Sequence, residues 1–295
     1  MSDASPPAGT EPSANRLAFA RLAAQPEALL DLATGCLHIA AEAYPGLAFG
    51  PILGELDLLA GRVRERLGGE ATTAGIGAAL AALHAVLYGE YGLRGDRESY
   101  DDPRNSLLND VLARRLGLPI TLAVVELEVA WRVALPLHGI GFPGHFLVGG
   151  PGDLVIDPFD AGRQLGPDDL EAVLRRTHRE PTRHEPGAAV IPVALHAALL
   201  RPATKREILA RILRNLHGSF VRRRDWGSAL WSVELLGILD PGDPDLLRDR
   251  AVLLARAGRF GAAVAELRRY LEARPDADDA DLVRRAIAAF RGRIH

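Results

Sequence analysis

Apolar residues recur every three to four positions between residues 27 and 133, and this period predicts a series of helices. Asp102-Pro103 suits a helix start, because Asp can cap free N–H groups and Pro has no N–H to lose. Gly117 is a natural residue to end the helix that follows. The predicted helices span 27–42, 51–67, 75–88, 106–116 and 120–133.

The pattern then changes to short extended runs at 137–142, 145–148 and 154–157. Pro143-Gly144 and Pro151-Gly152 separate these runs, which predicts two turns of an antiparallel meander. With the second turn centred on Pro151-Gly152, paired residue numbers sum to 302 or 303, and His145 falls within one position of Asp157. Cross-strand Cβ atoms lie about 5 Å apart, so we expect a direct His–Asp hydrogen bond of about 2.6–3.2 Å.

The pattern after residue 192 is all helical and repeats. Asp225-Trp226-Gly227 returns as Arg259-Phe260-Gly261, and Asp240-Pro241 returns as Arg274-Pro275, each 34 residues later. This period, with an aromatic, a small residue and a closing Pro, is typical of tetratricopeptide repeats. Such units bury their faces only by stacking, so the predicted helices at 205–221 and 279–290 act as neighbours or caps.

Composition divides the chain into three parts. Residues 1–15 are rich in Ser, Pro, Ala and Gly and are expected to be disordered. We expect a mixed helix and sheet domain at 16–190 and the helical repeats at 192–295. With 295 residues, 48% of them apolar, the chain can bury a sizeable core.

Charge and targeting signals exclude several classes of function. The net charge is −3, and the stretch 201–224 is locally basic but has little aromatic interleaving, so nucleic-acid binding is disfavoured. A single cysteine excludes an internal disulfide. We see neither an apolar run of the roughly 18 residues that a membrane span needs nor a secretory signal, and we expect a cytoplasmic protein.

Three strings of the sequence are distinctive: Tyr100 to Asn109, Gly141 to Val148 and Ile156 to Phe159. They resemble the transglutaminase-like superfamily, and more narrowly its bacterial SirB-type members, which carry tetratricopeptide repeats after that domain. The resemblance extends over residues 28–290. It implies an α+β, papain-like domain with helices packed on a small antiparallel sheet, followed by an all-α repeat tail. It also implies a site at the positions of a Cys-His-Asp triad.

The chain departs from that triad at the nucleophile. The corresponding positions are Ser106, His145 and Asp157, with Asn105 and Asn109 nearby, and the only cysteine, Cys36, lies in a different apolar helix. In one interpretation, His145 activates Ser106 and the helix N-terminus stabilises developing negative charge. In the other, Ser106 and Asn105 simply cap free backbone N–H groups, and His145 and Asp157 form a structural hydrogen bond.

Two functions therefore compete. One is a cytosolic interaction or regulatory scaffold, in which a degenerate, Cys-less cleft or the repeat tail binds a protein or peptide. The other is a hydrolase or acyl transferase that uses Ser106 with His145 and Asp157. No cofactor and no metal are expected: His178 and His184 lie in a polar stretch, but no Cys accompanies them and their spacing fits no helical pair.

Overall fold

A computed structural model describes residues 13–68, 75–177 and 198–294. These residues form two compact units. The first, called the site unit, comprises residues 31–40 and the described part of 46–212. The second, called the repeat unit, comprises residues 13–30, 41–45 and 213–294. The α+β class with an all-helical tail is confirmed, since the described strands all belong to the site unit.

The described helices largely follow the predicted apolar pattern. The first predicted helix begins later than expected, at Leu32, where the Asp31 carboxylate accepts the Thr34 N–H at 2.6 Å and caps the helix. The described α-helices are α1 (Ala14–Ala23), α2 (Leu32–Ala43), α3 (Phe49–Leu67), α4 (Ile76–His84), α5 (Leu108–Arg114), α6 (Pro119–Arg132), α7 (Pro167–Thr177), α8 (Lys205–Arg223), α9 (Trp226–Leu239), α10 (Asp245–Arg256), α11 (Phe260–Ala273) and α12 (Ala280–Arg291).

Two helical features were not predicted. Helix α4 continues into a π-helix at Ala85–Glu90, in which the Tyr91 N–H donates to the Val86 carbonyl at 2.8 Å. Helix α1 begins within the stretch 1–15 that was expected to be disordered, because the Ser13 hydroxyl accepts the Arg16 N–H and caps it. Residues 1–12 lie outside the described part of the chain.

The predicted helix at 106–116 is wrong at both ends. A 3₁₀ turn covers Pro103–Ser106, Leu107 is extended with φ −103° and ψ 117°, and α5 runs only from Leu108 to Arg114. The Asn105 carbonyl accepts the Leu118 N–H at 3.2 Å and the Thr121 hydroxyl at 2.6 Å, so it does not continue a helical ladder. Arg115, not Gly117, adopts the left-handed conformation that ends the helix, with φ 59°.

The predicted meander is present, with a different register and an additional strand. Strands β3 (His138–Ile140), β4 (Leu147–Gly149), β5 (Val155–Asp157) and β6 (Arg163–Gln164) pair antiparallel in that order. Val148 pairs with Ile156, which gives a sum of 304 where 302 or 303 was predicted. A separate parallel pair joins β1 (Arg94–Gly95) to β2 (Leu116–Gly117).

The core of the site unit forms around α6 and the sheet. Every residue of α6 from Pro119 to Ala130 is buried, and the helix packs against β3, β4 and the 3₁₀ turn Pro158–Asp160. Leu170 and Leu174 of α7 pack with apolar residues of the sheet. Because α6 is buried on all sides from Pro119 to Ala130, it acts as the central helix of the unit.

The repeat unit shows the predicted period directly. Helices α9 and α11 begin 34 residues apart and also end 34 residues apart. The helices α10 to α12 share a core that includes Leu254, Leu267 and Tyr270. This arrangement is typical of stacked repeats, in which each helix pair covers the apolar face of the next.

The observed units differ from the expected boundary at 190–192, which itself lies outside the described residues. The division falls inside α8, between residues 212 and 213, and α1 groups with the repeat unit. The reason is that α1 packs against α9, and the Arg16 guanidinium pairs with Glu42 at 2.8 Å and with Glu234 at 2.5 Å.

Candidate functional site

His145 and Asp157 form a direct hydrogen bond, as predicted. His145 Nε2 lies 2.8 Å from Asp157 Oδ1, and the two side chains are 17% and 10% exposed. A carboxylate only accepts, so a neutral His145 donates from Nε2 and keeps a lone pair on Nδ1. The side chain is therefore both oriented and chemically available, in the manner of a base in a catalytic triad.

Arg211 of α8 stabilises the turn that carries His145. The Arg211 guanidinium donates to the carbonyls of Phe142 at 3.1 Å and of His145 at 2.7 Å, and it lies 5.4 Å from the centre of the Phe146 ring. Burial lowers the pKa of Arg211 from its ordinary value. His145 itself lies in this turn, two residues before β4 begins, which explains how the hydrogen bond forms despite the shifted register.

Asp157 has a second role at the end of β5. Its Oδ1 atom also accepts the Phe159 N–H at 2.9 Å and so caps the 3₁₀ turn that follows. The Phe159 ring is thereby placed edge-on to His145, with centroids 6.2 Å apart, and to Tyr100 at 5.9 Å. Arg97 lies over the same ring at 4.9 Å. Phe159 and Tyr100, with Arg97 over the Phe159 ring, form a rim beside the His–Asp pair.

A close approach of the Phe159 ring to the backbone of Gly95 makes the rim possible. A Cβ atom on Gly95 of β1 would lie only 2.4 Å from the Phe159 ring, so a larger residue would displace the ring. Tyr100 is 46% exposed, and burial of the rest of its ring raises the pKa of its hydroxyl against the opposing effect of Arg211. The rim is therefore partly open to a ligand.

Asn105 serves the loop and not the His–Asp pair. Its side chain is fully buried; its Nδ2 donates to the Ser99 carbonyl at 2.7 Å, and its Oδ1 accepts from Arg114 at 2.9 Å. The Asn109 Oδ1 atom is buried and has no hydrogen-bond partner among the residues that the structure describes. Asn105 is thus tied to its neighbours by both ends of its amide, while Asn109 is not.

Ser106 is buried in the 3₁₀ turn and precedes the extended Leu107. The expectation that the N-terminus of the following helix supports Ser106 is wrong, because α5 begins two residues later and is only seven residues long. Within the described residues, no hydrogen bond joins Ser106 to His145. The structure brings His145 and Asp157 together but does not link Ser106 to them.

Other candidate nucleophiles and ligands offer little. Cys36 is buried in α2, where burial first and the charge of Glu128 second raise the pKa of its thiol well above the ordinary value. Across the residues that the structure describes, no group of three His, Cys, Asp or Glu side chains could hold a metal ion. His178 and His184 lie outside those residues.

A second His–carboxylate pair was missed. Glu126 of α6 is completely buried; its Oε1 lies 2.8 Å from His84 Nε2, and its Oε2 accepts the Tyr88 hydroxyl at 2.7 Å. Burial, followed by the neighbouring Glu126, raises the pKa of Tyr88 well above its ordinary value. The available signal was a Glu inside a mostly apolar helix, since buried carboxylates require partners.

Comparison with known families identifies the class of both parts of the chain. The family model described as the transglutaminase-like superfamily matches residues 51–214, more than half of the chain, and a tetratricopeptide repeat model matches residues 214–288. The chain belongs to the transglutaminase-like superfamily and carries tetratricopeptide repeats after that domain. No solved structure matches it significantly.

Curated relatives narrow the class to the UPF0162 proteins of bacteria. A UPF0162 protein of Xylella fastidiosa is 41% identical over 208 residues, which cover 70% of this chain and 71% of the relative. One from Pseudomonas aeruginosa is 36% identical over 196 residues, or 66% of each chain. Human F-box only protein 21 is 32% identical over 106 residues, which cover 32% of this chain and 17% of that protein.

The described helices also bear on membrane insertion. None of those in residues 13–68, 75–177 and 198–294 combines the length and apolar character needed to cross a bilayer. Tetratricopeptide repeats generally mediate protein–protein interaction, so the family match supports an interaction role for the chain.

Proposed function

We propose that this chain is a cytoplasmic interaction or regulatory scaffold whose degenerate transglutaminase-like cleft binds a protein or peptide without cleaving it. One observation carries the proposal. The His145–Asp157 pair is assembled at 2.8 Å, while the only cysteine is buried in α2 and the serine at the expected nucleophile position is buried in a 3₁₀ turn.

The side chains around the pair support binding over turnover. A hydroxyl needs far stronger base assistance than a thiol, whose thiolate is accessible near neutral pH. A second hydroxyl, that of Thr121 near the start of α6, is already committed to hydrogen bonds. It donates to the Asn105 carbonyl at 2.6 Å and accepts the Leu118 N–H at 3.0 Å. In contrast, His145, Tyr100 and Phe159 offer an aromatic surface with a free ring nitrogen, which suits the side chains and amide groups of a peptide.

A hydrolase or acyl transferase using Ser106 is the second candidate. It is favoured by the orientation of His145, whose Nε2 donates to Asp157 and whose Nδ1 lone pair could accept a proton. In this mechanism Ser106, His145 and Asp157 act as nucleophile, base and orienting group. The two candidate functions make different predictions, because only the hydrolase or acyl transferase requires both Ser106 and His145 for turnover.

A turnover assay separates them. Purified full-length chain would be incubated with p-nitrophenyl esters and with a glutamine peptide plus an amine, beside the matched variants Ser106→Ala and His145→Ala. We expect all three proteins to match the buffer background. Turnover by the unmodified chain that disappears in both variants would overturn the scaffold proposal in favour of the hydrolase.

A binding experiment tests the cleft directly. Peptides selected by phage display on the immobilised full chain would be measured against His145→Ala, Phe159→Ala and Ser106→Ala. We expect the first two variants to bind about tenfold more weakly, a difference of roughly 1.4 kcal/mol, and Ser106→Ala to bind normally. If the selected peptides bind Phe159→Ala and His145→Ala as tightly as the unmodified chain, the cleft is not the binding site.

A further inference from the structure

The buried cluster of His84, Tyr88 and Glu126 is the least expected polar feature of the site unit. Glu126 has no exposed surface, and its two carboxylate oxygens are each used, one by His84 and one by Tyr88. Burying a carboxylate is costly unless hydrogen bonds replace its hydration. An apolar residue at this point of the mostly apolar helix α6 would avoid that cost, so the network calls for a reason beyond packing.

The π-helix explains how the two donors meet the carboxylate. His84 ends α4 and Tyr88 lies in the π-helical turn, and their rings are in edge contact with centroids 5.4 Å apart. A π-helical turn inserts one extra residue and is common at functional sites. Both side chains therefore project from one wall onto a single carboxylate.

The same wall supports the loop that carries Asp157. Gly162 has φ 75°, and a Cβ atom there would lie 2.7 Å from the Tyr88 ring and 2.8 Å from the His84 ring. The Gly162 N–H donates to the Asp157 carbonyl at 3.0 Å, which closes the loop between them. The 3₁₀ turn inside this loop packs against α6. The loop 157–162 thus rests directly on the two rings that Glu126 holds.

We infer that His84, Tyr88 and Glu126 are positioning residues that fix the loop 157–162, and through it the His145–Asp157 pair and the Phe159 ring. Glu126 orients the two rings by accepting from both. The rings define the surface on which Gly162 lies. The loop then presents Asp157 Oδ1 to His145 Nε2 and to the Phe159 N–H. The inference rests on the proposed function only in taking the His145–Asp157 pair as the functional centre.

The test compares two buried glutamates of one helix. Glu126→Gln removes the charge beneath the loop, whereas Glu128→Gln removes a carboxylate that instead bonds the Ala33 N–H at 2.9 Å and the Arg132 side chain. Nuclear magnetic resonance of ¹⁵N-histidine-labelled full chain reports the Nε2–H proton of His145 and its exchange with water. We expect exchange to become about tenfold faster in Glu126→Gln and to stay within about twofold in Glu128→Gln.

Two glycines provide a second comparison that leaves the network's chemistry intact. Gly162→Ala adds a methyl group against the two rings, while Gly152→Ala adds one at φ 69° with nothing within 4 Å. Both variants carry the strain of a positive φ. We expect only Gly162→Ala to speed exchange of the His145 proton and to weaken binding of a cleft peptide.

The outcomes are separable from those of the proposed function. Unchanged His145 exchange in Glu126→Gln and in Gly162→Ala would overturn the positioning role, whatever the turnover assay gives. If Glu126→Gln does not fold, Tyr88→Phe removes one donor and keeps the carboxylate, and a His145 signal equal to that of the unmodified chain would then overturn the inference. Turnover by the unmodified chain would overturn the scaffold proposal and leave this inference standing.

Discussion

Two segments of the site unit would together supply a transglutaminase-like triad, and they use their polar side chains in opposite ways. In the segment 96–106, the Asn105 amide donates to the Ser99 carbonyl and accepts from Arg114. In the segment 142–157, His145 bonds Asp157 through one ring nitrogen and keeps the other uncommitted. The difference teaches that the Asn105 amide is committed to its own loop, whereas His145 keeps one ring nitrogen without a protein partner among the described residues.

The largest expected effect is a loss of stability, and it tests the first segment, residues 96–106. Asn105→Ala removes the donor to the Ser99 carbonyl and one of the two side-chain acceptors of the Arg114 guanidinium, so we expect the free energy of unfolding to fall by about 2–3 kcal/mol. His145→Ala should cost less, about 1 kcal/mol, because the side chain is partly exposed. Urea unfolding of both variants measures this. Equal losses would contradict the division into a structural and a chemical segment.

A smaller effect, measured by an acid titration of stability, tests the same segment, residues 96–106. Burial alone would raise the pKa of Asp96, but hydrogen bonds from the Ser99 N–H, Asn105 and Arg114 lower it below its ordinary value. A lowered folded pKa means that Asp96 stabilises the fold above its unfolded pKa, about 3.9, and loses this as pH falls through the folded value.

The matched variant for that titration is Asp96→Asn. We expect it to be less stable than the unmodified chain at pH 7 and pH 5, with the gap narrowing below about pH 4. Urea unfolding at several pH values gives the comparison. A gap that stays constant down to pH 2 would show that the Asp96 carboxylate does not carry the loop's charge-dependent stability.

The smallest effect probes position 106, where the resemblance places the nucleophile. Ser106→Cys, made in a Cys36→Ala background so that it carries the only thiol, should fold and react slowly with iodoacetamide, because position 106 is buried in a 3₁₀ turn. We expect His145→Ala to change that rate by less than about twofold. Rapid alkylation that depends on His145 would instead bring position 106 within reach of the pair and favour the hydrolase.

Local patterns predicted the parts of this fold that depend on local physics. The pattern inside each 34-residue repeat and the apolar run of α6 are set by residues a few positions apart. The predicted repeats and the predicted helix are both confirmed. The His145–Asp157 bond was also predicted, although the sheet register differs, because His145 lies in the turn before β4 and reaches Asp157 from there. Turn chemistry brought the two residues close enough for either register to join them.

Contacts between distant segments decided the rest. The sequence 106–116 has the period of a helix, but Leu118 and Thr121 claim the Asn105 carbonyl, and the helix is shortened to Leu108–Arg114. The role of Glu126 depends on His84 and Tyr88, which lie about forty residues away in the chain. No local period encodes which side chains will meet a buried carboxylate.

The sequence by itself determined the helical repeats, the meander and the His–Asp pair, since periodicity and turn residues act over a few positions. Only the tertiary structure decided that Asn105 is a structural residue, that Ser106 lies outside a helix N-terminus, and that Glu126 lies beneath the Asp157 loop. The physical reason is that a hydrogen-bonding group is committed by whichever partner folding brings to it, and that partner is chosen by long-range packing.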